Sequence, residues 1–310
     1  MTYPITFPGL GLELNPGKVA FSFLGKDIYW YGIIIACGFL LAVFYCSKKS
    51  PSFGVSPEQL LDLLIFAVPI SVVGARLYYI IFYFSLFQKD VNGVLKPDFK
   101  QMVFIWDGGL AIYGGIIAGV LTLLVFCRIR KISFGAFLDV ACFGLLIGQA
   151  LGRWGNFFNR EAYGGETTLP WRMGLHVPAE NGIVGAVHYI EVHPTFLYES
   201  LWNALGFVLL VSLARRCVRK FDGQFFLLYM AWYGFGRGFI EGFRSDSLYF
   251  FGLKLFGVPI RASQVLAFLS CAIAIILLIY NLKFRTHRPE DLFINQKKEP
   301  PIQEERQENQ

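Results

Sequence analysis

Charge is scarce in this chain. Of its 310 residues only 16% are Asp, Glu, Lys or Arg, where an ordinary water-soluble domain carries about 25%. Histidine is rarer still, at four residues. No CxxC pair and no HExxH string occurs, so neither a thiol-rich metal site nor a zinc-protease helix is supported, and no structural metal is expected. A secretory signal is also missing. Met1 to Lys26 interleaves Pro4, Pro8 and Pro16 with scattered apolar residues, and no basic region precedes an apolar core, so the first apolar span is expected to stay uncleaved. There is no internal repeat, and the basic residues sit beside apolar runs, so nucleic acid is not an expected partner.

What is abundant is apolar: 55% of side chains are hydrophobic, 17% are aromatic, and mean hydropathy is +0.50. These values describe a membrane protein. Cys37, Cys46, Cys127, Cys142, Cys217 and Cys271 lie within apolar runs or at their basic ends, so none is placed to staple an exported loop. A crossing helix needs about 20 mostly apolar residues. Seven stretches qualify: Ile28 to Cys46, Leu63 to Phe87, Gly108 to Cys127, Ile132 to Leu151, Phe196 to Ala214, Phe225 to Phe243 and Ala262 to Leu282. The expected fold class is an all-α polytopic membrane protein, seven transmembrane helices with a small irregular extracytoplasmic head.

Basic residues orient such a chain. Lys48 and Lys49, Arg128, Arg130 and Lys131, Arg215, Arg216, Arg219 and Lys220, and finally Lys283, Arg285 and Arg288 follow spans one, three, five and seven, which reads those ends as cytoplasmic. The expected organisation is an extracytoplasmic N-terminal segment (1–27), helices one to four (28–151), a head (152–193), helices five to seven with an interfacial loop (194–282), and a disordered cytoplasmic tail (283–310). The head is expected to form strands or turns, because its glycines and prolines interrupt any long helix. Within the loop, Leu248 to Ile260 is apolar but short, and is expected to lie along the interface. The tail from Pro289 is too polar to offset its ordering entropy.

An ionisable residue within a span costs about 2.5–3.5 kcal/mol on insertion scales and is a functional candidate. Arg237, Glu241 and Arg244 in GFGRGFIEGFRSDS share one helical face by their spacing. They read either as an internal ion pair that lets the span insert, or as a cavity whose guanidinium groups grip an anion. GRWGNFFNREAYGG (Gly152 to Gly165) puts Arg153, Asn156, Asn159 and Glu161 among four glycines, more polar recognition than a helix end requires. Span three opens with DGGLAIYGGIIAG, where Gly115 and Gly119 permit close helix contact and Tyr113 can point into an enclosed space. Gly144, Gly148 and Gly152 repeat the small-residue pattern on span four. HPTFLYES leads into span five; His193 reads as a capping or proton-carrying group, and Glu199 should bond Arg76 or another span. Tyr31 reads first as an interfacial aromatic.

On residues alone three classes stay open: an enzyme with a lipid-accessible chamber, a transporter or channel for an anionic solute, and a membrane scaffold. The polar residues gather toward the outer half of spans four, five and six rather than across their full depth, which favours the chamber.

Taken together, GRWGNFFNREAYG, DGGxxxYGGxxxG, HPTFLYE and the span-six RxxxExxR string resemble the prolipoprotein diacylglyceryl transferase family, from Tyr31 to Arg244 and with the same seven-span plan. The resemblance implies a multi-pass transferase of the bacterial cytoplasmic (inner) membrane. Such an enzyme moves the sn-1,2-diacylglyceryl group of phosphatidylglycerol onto the lipobox cysteine thiol of a prolipoprotein signal peptide, forms a thioether and releases glycerol 1-phosphate, with no cofactor. By motif match, Arg153, Asn156, Glu161 and Gly164 fall on the family signature, Arg237, Glu241 and Arg244 on its second charged cluster, and Tyr31 on its span-one tyrosine. Many members carry histidine where this chain has Tyr113. The implied division of labour has Arg153 and Arg237 clamping the phosphate, Glu161 and Glu241 orienting them, Asn156 bonding the glycerol head, and Tyr113 or His193 assisting thiol deprotonation, with Arg244, Tyr31 and Gly164 completing the phosphatidylglycerol site.

Overall fold

The computed structural model describes residues 3–91, 94–106, 108–178, 187–216, 219–245, 249–255 and 258–296. From the N-terminus come strands β1 (Ile5–Phe7) and β2 (Leu12–Leu14), the hairpin of β3 (Val19–Phe23) and β4 (Lys26–Tyr29), and helix α1 (Trp30–Lys49). Then follow α2 (Pro57–Phe82), the paired strands β5 (Gln88–Val91) and β6 (Val94–Pro97), the short α3 (Phe99–Val103), α4 (Ile112–Ile129) and α5 (Phe134–Asn159). Strands β7 (Met173–Pro178) and β8 (Val187–Val192) lead to α6 (Thr195–Arg216) and α7 (Gln224–Glu241). The paired β9 (Tyr249–Leu255) and β10 (Val258–Arg261), α8 (Ala262–Phe284) and the single turn α9 (Phe293–Gln296) complete the described chain.

Among the described residues, six helices are long and apolar enough to cross a membrane: Trp30–Phe53, Pro57–Phe82, Ile112–Ile129, Phe134–Asn159, Thr195–Arg216 and Ala262–Phe284. The protein is therefore a polytopic, mostly helical membrane protein. Helix α7 has 18 residues but is not among the six. Its glycines, its polar aromatics, and Arg237 and Glu241 lower its hydropathy, so polar function and membrane insertion compete within one helix.

The chain divides into two compact units, one of residues 1–46 and 138–292, the other of 47–137 with the described end of the chain from Phe293. In the first unit the sheet order is β2-β1-β7-β8, antiparallel throughout. Ile5, Phe7, Met173, Leu175 and Val192 from the sheet pack on Phe157 of α5 and Phe196 of α6. The head segment, expected to form strands or turns, supplies β7 and β8, and the sheet also recruits two strands from the N-terminal segment. The reason is that neither the β7–β8 pair nor the β1–β2 pair alone buries its apolar face. Helix α5 also runs past the expected end at Leu151 to Asn159, so Arg153 and Asn156 stand on its last turns instead of in a loop.

Asp139, a fully buried carboxylate within α5, accepts hydrogen bonds from the backbone amides of Gly223 and Phe226, both at 2.9 Å. It caps the start of α7 from a neighbouring helix, satisfying amides that would otherwise lack partners. In the same unit, Gly144 receives Cys46 and Gly152 receives Ile35 of α1, whereas Gly148 faces open space. The expected small-residue contact is therefore made at two of those three glycines.

In the second unit α2 begins at a capping box, Ser56 with Gln59, and packs along α4. A side chain on Gly114 would collide with Gly74 and Tyr78, and one on Gly119 would lie 2.9 Å from Ser71. Arg76 is buried and donates to the carbonyls of Gln101, Met102, Phe104, Gly108 and Gly109. It organises the loop between α3 and α4. Asp107 lies outside the described residues, as do Cys217 and residues 297–310. The part of the tail that is described is ordered: a 3-10 turn over Pro289–Asp291 and α9 follow one another, with Leu292 and Phe293 buried. Leu292, Phe293 and Ile294 supply the apolar contacts that the polar composition of the tail as a whole conceals. The segment expected to lie flat, 248–260, contains the β9–β10 pair.

Candidate active site

The charged residues of three separate motifs meet at Glu199. This carboxylate sits on the second turn of α6 and is 3% exposed. Its Oε1 accepts from Arg237 of α7 at 2.5 Å, and its Oε2 forms an ion pair with Arg153 of α5 at 2.7 Å. Arg237 also reaches Glu241, one helical turn on, at 2.5 Å. Arg244 completes the group, 3.9 Å from Glu199 and 4.0 Å from Glu241. A buried carboxylate is tolerable only when paired; here Glu199 faces three guanidinium groups and Glu241 two. In formal charge, among the described residues of this cluster, three arginines outweigh two glutamates by one positive unit.

A chain of amides extends this cluster outward. Arg153 donates to Asn156 at 3.3 Å, and Asn156 and Asn159 both donate to Glu161 Oε1, at 3.0 and 3.2 Å. Arg160 and Ala162, on either side of Glu161, adopt φ of 56° and 57°, a conformation costing about 1–3 kcal/mol in a non-glycine residue and characteristic of functional turns. Several bonds hold the turn against that cost. Glu161 N donates to Asn156 O, Thr195 Oγ1 donates to Ala162 O, and Arg160 donates to the carbonyls of Tyr3 and Pro16.

Gly164 pins the turn to the other two motifs. Its amide donates to His193 O at 3.0 Å, and the next amide, of Gly165, donates to Phe243 O at 2.7 Å. A side chain on Gly164 would overlap His193, Phe243 and Thr195, so only glycine permits the close approach. The ring of His193 lies against Phe243, 5.0 Å between centroids, with Nδ1 3.2 Å from the Tyr198 hydroxyl. Burial lowers the His193 pKa below the usual histidine value. Burial thus favours the neutral form of the ring.

Tyr31 lies against α5 at Gly155, where any side chain would strike its ring. With Lys18, Ile28, Tyr29, Gly32, Asn159 and Glu161 it lines a cavity of about 560 Å³. The structure thus brings Arg153, Asn156, Glu161, Gly164, His193, Arg237, Glu241, Arg244 and Tyr31 into one unit. Tyr113 belongs to the second unit, on the first turn of α4, and its side chain is exposed.

One expectation is corrected. Glu199, not Glu161, is the carboxylate on Arg153; Glu161 reaches that arginine only through Asn156. Of the two partners expected for Glu199, Arg76 or another span, the structure shows the second: Arg76 donates to backbone carbonyls, and Glu199 is held by Arg153 of α5 and Arg237 of α7. A carboxylate inside an apolar span marks Glu199 in the sequence, but its partners lie 46 and 38 residues away, a separation no local pattern encodes. Arg261, which donates to the carbonyl of Glu241, was likewise invisible.

A family model described as prolipoprotein diacylglyceryl transferase matches residues 18–280. The chain belongs to this family. Among similar proteins, the phosphatidylglycerol–prolipoprotein diacylglyceryl transferase of Listeria welshimeri is 42% identical over 276 residues, covering 88% of this chain and 92% of the relative. That of Lactobacillus delbrueckii subsp. bulgaricus is 41% identical over 272 residues, covering 87% and 91%. The Lactobacillus acidophilus protein is 40% identical over 275 residues, covering 88% and 91%. Every residue of the Glu199 cluster, the amide chain and the Tyr31 cavity lies inside the part of this diacylglyceryl transferase that the family model matches.

Proposed function

We propose that this chain transfers the sn-1,2-diacylglyceryl group of phosphatidylglycerol to the lipobox cysteine thiol of prolipoproteins. The thiolate attacks the sn-3 carbon of the lipid, a carbon–sulfur bond forms, the carbon–oxygen bond to phosphate breaks, and glycerol 1-phosphate departs. The substrate supplies the nucleophile, so the protein's task is to stabilise charge on the departing phosphate and to accept the thiol proton. The single observation that carries this reading is the excess guanidinium charge around Glu199. Arginine forks match phosphate oxygens, and a partly buried setting strengthens each contact relative to water.

In this mechanism Arg153 and Arg237 clamp the phosphate, and Arg244 adds positive potential. Glu199 and Glu241 hold the two clamping side chains in register, while Asn156 and Glu161 bond the glycerol hydroxyls and Gly164 lets their turn approach the cluster. Tyr31 walls the cavity beside them. His193, neutral and beside the signature turn, accepts the thiol proton; Tyr113 is the alternative acceptor.

The same reading includes α7 as a seventh span, its charges shielded by α5 and α6. It puts the β2-β1-β7-β8 sheet outside the bacterial cytoplasmic membrane, the N-terminus with it, and the C-terminus in the cytoplasm. The basic residues after α1, α4, α6 and α8 support that orientation.

The test is transfer itself. Purified protein in liposomes, given phosphatidylglycerol labelled in its acyl chains and a lipobox peptide, is expected to move the label onto the peptide's cysteine. Arg153→Ala is expected to slow transfer by about 10²–10³-fold, the usual loss on removing a donor to developing charge. No label on the peptide with the unaltered protein would refute the activity; an undiminished rate in Arg153→Ala would refute the clamp.

A further inference from the structure

One turn inside the charged cluster, α6 and α7 are joined by a reciprocal contact between two indoles. Trp202 and Trp232 stack with centroids 4.2 Å apart and planes 11° from parallel. Trp202 Nε1 donates to the carbonyl of Trp232 at 3.0 Å, and Trp232 Nε1 donates to the carbonyl of Trp202 at 3.0 Å. Each indole reaches its carbonyl across a glycine of the opposite helix. A side chain on Gly236 would strike the Trp202 ring, and one on Gly206 would strike the Trp232 ring.

Contacts between helices in a bilayer gain little from the hydrophobic effect, because lipid tails are as apolar as the interface, so packing and interhelical hydrogen bonds set how two helices meet. A slip of one residue, about 1.5 Å along the axis, breaks both bonds and unstacks the rings, leaving two indole N–H groups without acceptors in an apolar setting. The pair also stands close to the charges. Glu199 is three residues from Trp202, roughly 4.5 Å of rise, and Arg237 is five residues from Trp232, roughly 7.5 Å. Glu199, Trp202 and Gly206 follow i, i+3, i+7 spacing and so share one face of α6.

We propose that the Trp202–Trp232 pair is a positioning device: it fixes the level of α6 against α7, and thereby holds Glu199 between Arg153 and Arg237. The inference rests on the reading of those arginines as the phosphate clamp. Glu199 uses one oxygen for each arginine, at 2.7 and 2.5 Å, so a shift of α6 by a single residue step releases one of them.

The test is made on the full chain in liposomes. Trp202→Phe and Trp232→Phe keep a ring and lose the N–H, and Trp202→Phe/Trp232→Phe removes both bonds. The double variant is expected to lower kcat about tenfold, on the scale of a small misplacement near reacting groups. Its KM for phosphatidylglycerol and its thermal unfolding midpoint should change little, and the far-ultraviolet circular dichroism exciton couplet of the stacked indoles should vanish. In a Glu199→Gln background the same two substitutions should change kcat less than twofold, because coupled residues are not additive. If Glu199→Gln abolishes turnover, the cycle is read on glycerol 1-phosphate binding, where the same non-additivity is expected. Unchanged kcat in the double variant would overturn the proposal, as would an equal loss with and without Glu199. Absence of transfer in the unaltered protein would instead refute the activity reading, so the two failures are distinct.

Discussion

At the scale of single residues the site is governed by Glu199. Two arginines depend on its two oxygens, and removing one member of a buried pair costs about 3–5 kcal/mol. Glu199→Gln keeps the shape but loses the charge that holds both guanidinium groups. The expected outcome is a large fall in transfer rate with a folded protein, checked by the labelled-lipid assay beside a thermal melt; a full rate would show that the arginines hold their places without it. His193 makes a pH prediction. Its pKa is lowered by burial, so its folded value lies below the unfolded one of about 6.5. The stability linked to it is fully present above the unfolded value and is lost as pH falls through the folded value. As proton acceptor it also predicts an acid-side fall in rate with an apparent pKa below that of free histidine. In His193→Asn that limb should disappear along with most of the rate, measured as a pH profile of kcat; a profile identical to that of the unaltered protein would remove His193 from the chemistry.

At the scale of elements, close helix approach is built on glycine. Gly74 and Gly114 lie against each other between α2 and α4, where a side chain on either would meet backbone. Gly114→Val is therefore expected to part the two helices and to cost about 1–3 kcal/mol, typical of overpacking, whereas Gly148→Ala, facing open space, should be neutral. Unfolding midpoints of the two variants in detergent check the contrast, and equal effects would refute it. The elements also mark how far local pattern carries. Six of the seven expected spans satisfy length and composition as helices, because an apolar run of that length has few other ways to satisfy its backbone in a membrane. The seventh forms a helix too, but its own polar residues blur the signal. Strands β1 and β2 are short, and the pairing of β1 with β7 joins residues far apart in the chain, so no period along the sequence announces them.

At the scale of the whole molecule, the proposed orientation rests on the basic residues beside α1, α4, α6 and α8. Leu24, exposed at the β3–β4 turn, and Gln296, exposed at the end of α9, offer a direct check. Leu24→Cys should react with a membrane-impermeant maleimide on intact spheroplasts, and Gln296→Cys only after permeabilisation; the reverse pattern would invert the assigned topology. The membrane class, most of the spans and the motifs carrying Arg153, Glu161, His193 and Arg237 are determined by sequence alone, since apolar length and charge placement act locally along the chain. Which carboxylate holds which arginine, how the N-terminal strands complete the sheet, and how two indoles lock α6 to α7 were decided only in the tertiary structure. Those are pairings between distant residues, set by the mutual need of buried polar groups for partners, and a linear pattern carries no record of which partner each one finds.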